Sequence, residues 1–358
     1  PIVPTHVKEL KKKHDVDIIV QPSDIRVFTK EDYMGAGAKI QEDLSKCDIV
    51  FAVKEIQSDF FKPGKTYVFF SHTIKGQKHN MPMLKKMMDL GCTLIDYEKI
   101  VDEKGRRLVF FGNFAGLAGM IDALWALGQR LHWKGIDTPF KEVKQAINYK
   151  DLEDAKKHLS KVGKKIESIG LPEPVAPLVV GFAGYGNVSK GAQEILDVLP
   201  VKEIRPDGLK SIYKNPSNKI IYKVVFKEED MVEPISLNDR FDLQDYYSHP
   251  EKYKSVFERY LPYISVFMNC IYWNSQYPRL LTKNYLKNSF LRGKSPHLKV
   301  VGDISADVNG AVEFTEKTTS TDNPVFVYNP ITDKIQDGFQ GEGVVVMAID
   351  NLPCELPR

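Results

Sequence analysis

Apolar residues along this chain follow two periodicities, and their alternation predicts an α/β protein. Short apolar runs at Asp17–Val20, Asp48–Val53, Thr66–Ser71, Thr93–Asp96 and Arg107–Phe111 predict strands. Between them, Thr5–Lys13, Ala36–Lys46 and Met83–Leu90 carry the apolar spacing of helices. Such alternation predicts mostly parallel sheets covered on both faces. Phe114–Leu131 reads as one long helix in which Gly116, Gly119 and Gly128 lower helix propensity. Small residues there let another backbone approach, either at a contact between domains or copies, or by packing inside one domain. Lys150–Ile169 reads as an amphipathic surface helix, ended by a linker at Gly170–Pro174.

A second alternating block starts at Pro177. Its predicted strands are Pro177–Ala183, Val201–Ile204, Lys219–Val225, Ile264–Asn269, Lys299–Asp303 and Pro324–Tyr328, with a late buried strand at Gly343–Ile349. Phe241–Tyr260, polar and rich in Tyr and Asp, reads as part of an insertion. The most informative stretch is Gly181-Phe182-Ala183-Gly184-Tyr185-Gly186-Asn187-Val188-Ser189-Lys190-Gly191, where an apolar strand runs into close glycines and then a helix at Gln193–Val198. That context is what a dinucleotide turn requires. Gly184 permits the tight turn and Gly186 lets the backbone reach a pyrophosphate. The helix N-terminus, with Tyr185, Asn187 and Val188 around it, offers free N–H groups. The third glycine, Gly191, comes later than the strict fingerprint places it. About 20 residues on, where the ribose is read, Glu203-Ile204-Arg205 ends the next predicted strand. Arg205 favours NADP, with NAD as the alternative.

These elements predict α/β architecture with two Rossmann-like domains whose parallel sheets flank a central cleft. A substrate-handling domain is expected over 1–135, rejoined by about 340–358. Connecting helices and a linker follow over 136–176. A dinucleotide-binding domain is expected over 177–340, with the insertion near 206–262. Three predicted strands of the first domain end in reactive side chains: Lys54-Glu55 after Val53, His72 and Lys75 after Ser71, and Glu98 after Asp96-Tyr97. Strand ends in such sheets face the ligand crevice. Ammonium and imidazole groups there can move protons while an amine and a ketone form an imine, and a nearby carboxylate tunes them. Taken singly, each reads as a solvated Lys or a hydrogen-bonded His; it is their joint placement that points to a site.

Composition removes other classes. A net charge of +3 on 358 residues gives no general attraction to nucleic acid or anionic membrane. No run approaches the roughly 20 apolar residues of a membrane span, and Pro1-Ile2-Val3-Pro4 has no basic leader or long apolar stretch. Cys47, Cys92, Cys270 and Cys354 lie far apart, without the spacing of a zinc knuckle or disulfide framework, which fits a reducing compartment. The expectation is a soluble intracellular protein, in mitochondrial matrix or cytoplasm, with no metal: its eight histidines lack HxH, HxxH or HExxH spacing.

Longer motifs carry a resemblance. Gln41–Ser45, Phe70–Lys75, Leu94–Lys99, Phe114–Ile121, Gly184–Ala192, Asn269–Trp273, Asp303–Asp307, Val312–Thr315 and Ile349–Pro353 run in order across both predicted domains. In them the chain resembles the lysine–ketoglutarate reductase domain of α-aminoadipic semialdehyde synthases. That family is similar to the wider group of alanine dehydrogenases, transhydrogenases and lysine-forming saccharopine dehydrogenases.

The resemblance implies that lysine and 2-oxoglutarate condense and are reduced by NADPH to saccharopine. It implies Lys54 and His72 as the proton-moving pair, and Glu55, Lys75, Gln77, Glu98 and Arg107 as substrate-binding residues. Asp307 would lie near the nicotinamide, with Asn351 and Leu352 on the returning segment. It also allows a fused or associated saccharopine dehydrogenase domain, and a homo-oligomer. The family's opening strand with its paired arginines, its closing helix and its saccharopine-cleaving half are not within these 358 residues, so an extended chain is the one expected to turn over. Two rival readings stand beside this one. One is an NAD-dependent, lysine-forming saccharopine dehydrogenase, separable by cofactor preference. The other is a nucleotide-binding homologue without turnover, separable by assay.

Overall fold

The computed structural model describes residues 1–24, 26–74, 76, 78–292 and 297–356. The chain divides into two compact units, Pro1–Phe110 and Phe111–Arg358. The expected first domain ran to 135; the compact unit ends ahead of the long helix.

The first unit contains α1 (Pro4–His14), β1 (Ile19–Val20), α2 (Lys30–Gly35), β2 (Lys39–Ile40), β3 (Ile49–Phe51), β4 (Thr66–Phe69), α3 (Met81–Asp89) and β5 (Thr93–Asp96). β1 and β2 form a parallel pair, and β3-β4-β5 form a second parallel sheet. Strand alternation sorts the side chains by face. Tyr67 and Phe69 of β4 pack with Val50, Phe61, Met83 and Met87, while Val68 packs with Phe70 and Tyr97 on the other face.

Two expected elements of this unit are absent. The helix read over Ala36–Lys46 is instead α2, β2 and a loop. Thr29 and Asp32 form a reciprocal capping box that starts α2 early. Gly37, at φ +96°, then stops it before the apolar spacing that suggested a helix. The strand read over Arg107–Phe111 reduces to a single bridge between Val101 and Arg107. Asp102 binds the amides of Lys104 and Arg106 in a turn, and Leu108, Phe110 and Phe111 after it stay exposed.

The second unit begins with α4 (Gly112–Trp133) and α5 (Leu152–Ile169), followed by β6 (Leu178–Ala183), α6 (Asn187–Leu196), β7 (Val201–Glu203), α7 (Leu209–Ile212), β8 (Ile221–Phe226), α8 (Glu228–Met231) and β9 (Val232–Pro234). Then come α9 (Leu243–Ser248), β10 (Tyr253–Ser255), β11 (Val266–Asn269), α10 (Lys283–Leu291), β12 (Val300–Asp303), β13 (Val325–Asn329), β14 (Lys334–Asp337) and β15 (Val344–Met347). Eight strands form one sheet in the order β14-β13-β15-β12-β11-β6-β8-β7, parallel except around β13. Val180 and Phe182 of β6 face one core with α4, α5 and α6, while Val179 and Ala183 face the other.

The insertion holds the antiparallel β9–β10 pair and α9. The segment expected to rejoin the first domain supplies β15 to this sheet and sets Leu352 against Gly119 of α4. The glycines of α4 serve packing within this unit. A Cβ on Gly116 would lie 1.9 Å from the Val188 carbonyl oxygen, and one on Gly128 would lie 2.1 Å from that of Phe140. Among the described residues no helix is long and apolar enough to cross a membrane.

β7 and β8 exchange the places a simple reading of chain order gives them. β8, six residues and almost wholly buried, lies beside β6; three-residue β7, with Lys202 and Glu203 exposed, takes the edge. Charge at an edge strand discourages further pairing, and the more apolar strand gains from burial on both faces.

Candidate functional sites

In the first unit, three parallel strands end side by side. Phe51 of β3 is in register with Val68 of β4, and Phe69 with Asp96 of β5. The pairing continues past β3, with Ala52 N donating to Val68 O and Phe70 N to Val53 O. Lys54-Glu55, His72 and Glu98 therefore leave the same edge of one sheet. His72 Nδ1 and Glu55 Oε1 are 2.5 Å apart. Asn80 Nδ2 donates to the same carboxylate oxygen at 3.2 Å and to His72 O at 3.4 Å. Burial opposes ionisation of Glu55, but its hydrogen bond with His72, with help from Asn80, holds the carboxyl below its usual value.

His72 adopts φ +48°, a left-handed conformation uncommon for a side-chain-bearing residue. The chain around it is held firmly. The Ser71 hydroxyl donates to Asp96 Oδ2, and Ser71 and Thr73 hydroxyls meet at 2.7 Å. The His72 ring stacks on Phe70 with 6.2 Å between centroids. Arg107 lies over the same Phe70 ring, its guanidinium carbon 5.3 Å from the centroid, and donates to Glu98 Oε1 at 3.2 Å. The structure thus brings Glu55 and His72 into contact and Arg107 onto Glu98, with Lys54 leaving the same strand end. Lys75 and Gln77 lie outside the described residues. Asn80 and Asp96 were missed in the sequence because their role is to hold others, which neither motif nor spacing announces.

In the second unit, the turn after β6 fits a pyrophosphate. Gly184 has φ +88°, and its N–H donates to Phe226 O at 3.0 Å, tying the turn to β8. A Cβ on Gly186 would meet nothing within 4 Å, so the backbone is open to close approach there. Gly186 caps α6, whose first residues Asn187 and Val188 present amides that the helix leaves unpaired. Gly191 has a different role: a Cβ there would lie 2.1 Å from Asn113 O, so it sets the approach of α4 to α6. Arg205 follows edge strand β7 and pairs loosely with Asp207 at 3.7 Å.

The strand end beside the turn belongs to β8, and Lys227 and Glu228 follow it. Glu228 Oε1 accepts from Tyr247 Oη at 2.7 Å, and the negative charge of this carboxylate, with burial and a hydrogen bond to it, raises the Tyr185 phenol. Asp307 lies exposed in the loop after β12; Asn351 is exposed and Leu352 buried.

Comparison with known proteins follows from this geometry. The fold of the whole chain is that of an alanine dehydrogenase: a solved L-alanine dehydrogenase superposes with a TM-score of 0.55 over 99% of this chain and 80% of its own, at 15% identity. Residues 1–118 match the family described as alanine dehydrogenase/PNT, N-terminal domain.

More particularly, the chain is similar to the α-aminoadipic semialdehyde synthases. It is 40% identical over its full length to that of Arabidopsis thaliana and 37% identical to the mitochondrial one of Bos taurus. It spans only 35% and 40% of those proteins. A saccharopine dehydrogenase [NAD(+), L-lysine-forming] of Neurospora crassa is 28% identical, and there the match covers all of this chain and 82% of the relative.

Proposed function

We propose that this chain carries the lysine–ketoglutarate reductase reaction. The lysine ε-amine adds to the ketone of 2-oxoglutarate, water leaves to give an imine, and reduction yields saccharopine. One observation supports this assignment above others. The chain spans little more than a third of the long synthases but most of a saccharopine dehydrogenase, so the shared portion is the one whose named chemistry joins lysine and saccharopine. The hydride comes from the nicotinamide when the dinucleotide is bound.

The chain's own residues supply the rest. His72, oriented by Glu55 through Nδ1, moves protons at Nε2 as carbinolamine loses water, and Lys54 shares that task. Arg107 and Glu98 orient the charged ends of the substrates, with Lys75 and Gln77 as further substrate contacts. Gly184, Gly186 and the amides of Asn187 and Val188 hold the pyrophosphate, Tyr185 flanks it, and Asp307, Asn351 and Leu352 serve the nicotinamide end.

NADP is the proposed cofactor, with Lys227 in place of Arg205 as partner of its 2′-phosphate. Glu228 is already engaged by two phenols, and Lys227 stands at the strand end beside the turn, whereas Arg205 is one strand removed. An intracellular setting is proposed too, in keeping with four free thiols and relatives named as mitochondrial. The test is the full-length protein with lysine, 2-oxoglutarate and either NADPH or NADH, followed by nicotinamide absorbance. Lysine-dependent oxidation of NADPH is expected. Preference for NADH would favour the saccharopine dehydrogenase of the NAD type, and dinucleotide binding without oxidation of either would overturn the assignment.

A further inference from the structure

We propose that Asp303, a buried carboxylate at the end of β12, is the positioning residue for the dinucleotide side of the site, fixing the loop that carries Asp307. This rests on the reading of the glycine turn and Asp307 given above. Asp303 is 1% exposed, yet three donors converge on it. Its Oδ1 accepts from Asn269 Nδ2 at 2.8 Å and from Ala306 N at 3.3 Å, and its Oδ2 accepts from Thr315 Oγ1 at 2.6 Å. A buried carboxylate is tolerated only when so satisfied.

The placement links this residue to the cradle. Asn269 of β11 stands in register with Asp303 on one side and with Ala183, the residue before Gly184, on the other. From Asp303 the chain turns sharply. Ala306 and Asn309 both adopt left-handed backbone, at φ +53° and +51°. Such residues persist where their surroundings over-determine them. Here the Asp303 carboxylate holds the Ala306 amide, Asn309 N donates to Thr315 O at 2.9 Å, and Gly310 N donates to Asp307 O at 2.9 Å. Thr315 is gripped by Asp303 through its hydroxyl and by Asn309 through its carbonyl. The loop presenting Asp307 is therefore built outward from one buried group.

Asn269 and Ala306 can only donate, to Oδ1, whereas the Thr315 hydroxyl on Oδ2 can reverse and accept when the carboxyl is protonated. Burial, opposed by those hydrogen bonds and reinforced by Asp307, lifts the carboxyl to about 6. The titratable groups facing it are Asp307 on its own loop and the Cys270 thiol after β11, which burial keeps protonated. Protonation removes the negative charge on which the three hydrogen bonds converge and weakens the hold on Ala306, so dinucleotide binding should weaken as pH falls through about 6.

Asp303→Asn tests this in the full-length protein. The amide keeps the shape and an acceptor for Asn269 and Ala306 but removes the charge that strengthens those bonds. Steady-state oxidation of NADPH and direct binding of NADPH and NADH by fluorescence are measured across pH. For the variant, a tenfold or larger rise in KM and Kd for the dinucleotide is expected, with KM for lysine and 2-oxoglutarate within twofold. The wild type should lose dinucleotide affinity below about pH 6, and the variant should show no such break. If Asp303→Asn fails to fold, Thr315→Val removes a single hydrogen bond and should raise the same KM alone by a smaller factor. Unchanged dinucleotide affinity in the variant, a break that persists without the carboxyl, or an equal rise in all three KM values would each overturn the positioning role. A wild type that binds no dinucleotide at all would instead overturn the cradle itself.

Discussion

Gly116→Ala sets two effects of opposite sign against each other. Inside a helix, alanine is favoured over glycine by about 1 kcal/mol, so on propensity alone the change strengthens α4. The added Cβ, however, would lie 1.9 Å from Val188 O, 2.7 Å from Ala192 N and 2.9 Å from the Val188 carbonyl carbon, all backbone atoms of α6. Backbone cannot rotate away as a long side chain can. Reaching even 3.0 Å from that oxygen requires the two helices to part by about 1.1 Å. A gap of about 1 Å forfeits up to half of the dispersion energy across a packed seam. Overpacking of this kind costs about 3 kcal/mol, which leaves a net loss of about 2 kcal/mol.

For a unit of this size that corresponds to a fall in Tm of about 4–8 °C, measurable by calorimetry or urea unfolding. Val188 is also the second residue of α6, so dinucleotide affinity should weaken with stability. Gly35→Ala, at the end of α2 with nothing within 4 Å of a new Cβ, is the control and should be neutral or mildly stabilising. A Gly116→Ala protein as stable as wild type, with unchanged dinucleotide affinity, would refute close backbone approach as the reason for this glycine.

Three further outcomes follow from the sites. Replacing His72 by Asn should lower kcat/KM about a hundredfold or more, and in an NMR titration the Glu55 carboxyl should move back up toward its ordinary value; an unmoved Glu55 would show that the pair is not coupled. Lys227→Ala should raise KM for NADPH far more than for NADH, whereas Arg205→Ala should leave both unchanged; the reverse pattern would return the 2′-phosphate to the sheet edge.

The third concerns Asp122, fully buried on α4, with its Oδ1 accepting from Ala146 N at 2.7 Å. Burial first, and Glu355 second, hold its carboxyl well above the ordinary range. A folded state that binds this proton more tightly than the unfolded chain is most favoured below about pH 4 and loses that advantage as pH rises toward the raised value. Asp122→Asn keeps the acceptor for Ala146 and has no proton to lose. It should gain about 1–2 kcal/mol at neutral pH and flatten the dependence of unfolding on pH; an unchanged slope would rule this carboxyl out as its source.

Strand cores were legible because apolar runs ended by turn residues leave little choice of conformation. Thr93–Asp96 and the strands around the glycine turn were readable in this way. Ala36–Lys46 misled because apolar spacing says nothing about where a helix can begin; Thr29 and Asp32 decide that locally. Arg205 was chosen by counting along the chain, but sheet order is settled by burial, and short, charged β7 yields the inner position to β8. Asp303 and Asn269 stood in plain view at the ends of two expected strands. Their meaning emerged only when β11 and β12 were found in register, because a hydrogen bond across strands has no footprint in one strand's sequence.

The backbone of His72 carries a consequence of its own. At φ +48° the position suits glycine best, yet the imidazole contact with Glu55 exists only because a side chain is tolerated there. Conformation and chemistry pull the choice of residue in opposite directions. A variant protein with glycine at this position could gain thermal stability while losing turnover, so a melting curve would mistake the damaged enzyme for the improved one. Asparagine, which accepts the same backbone, is the fairer substitute wherever the imidazole alone is to be removed.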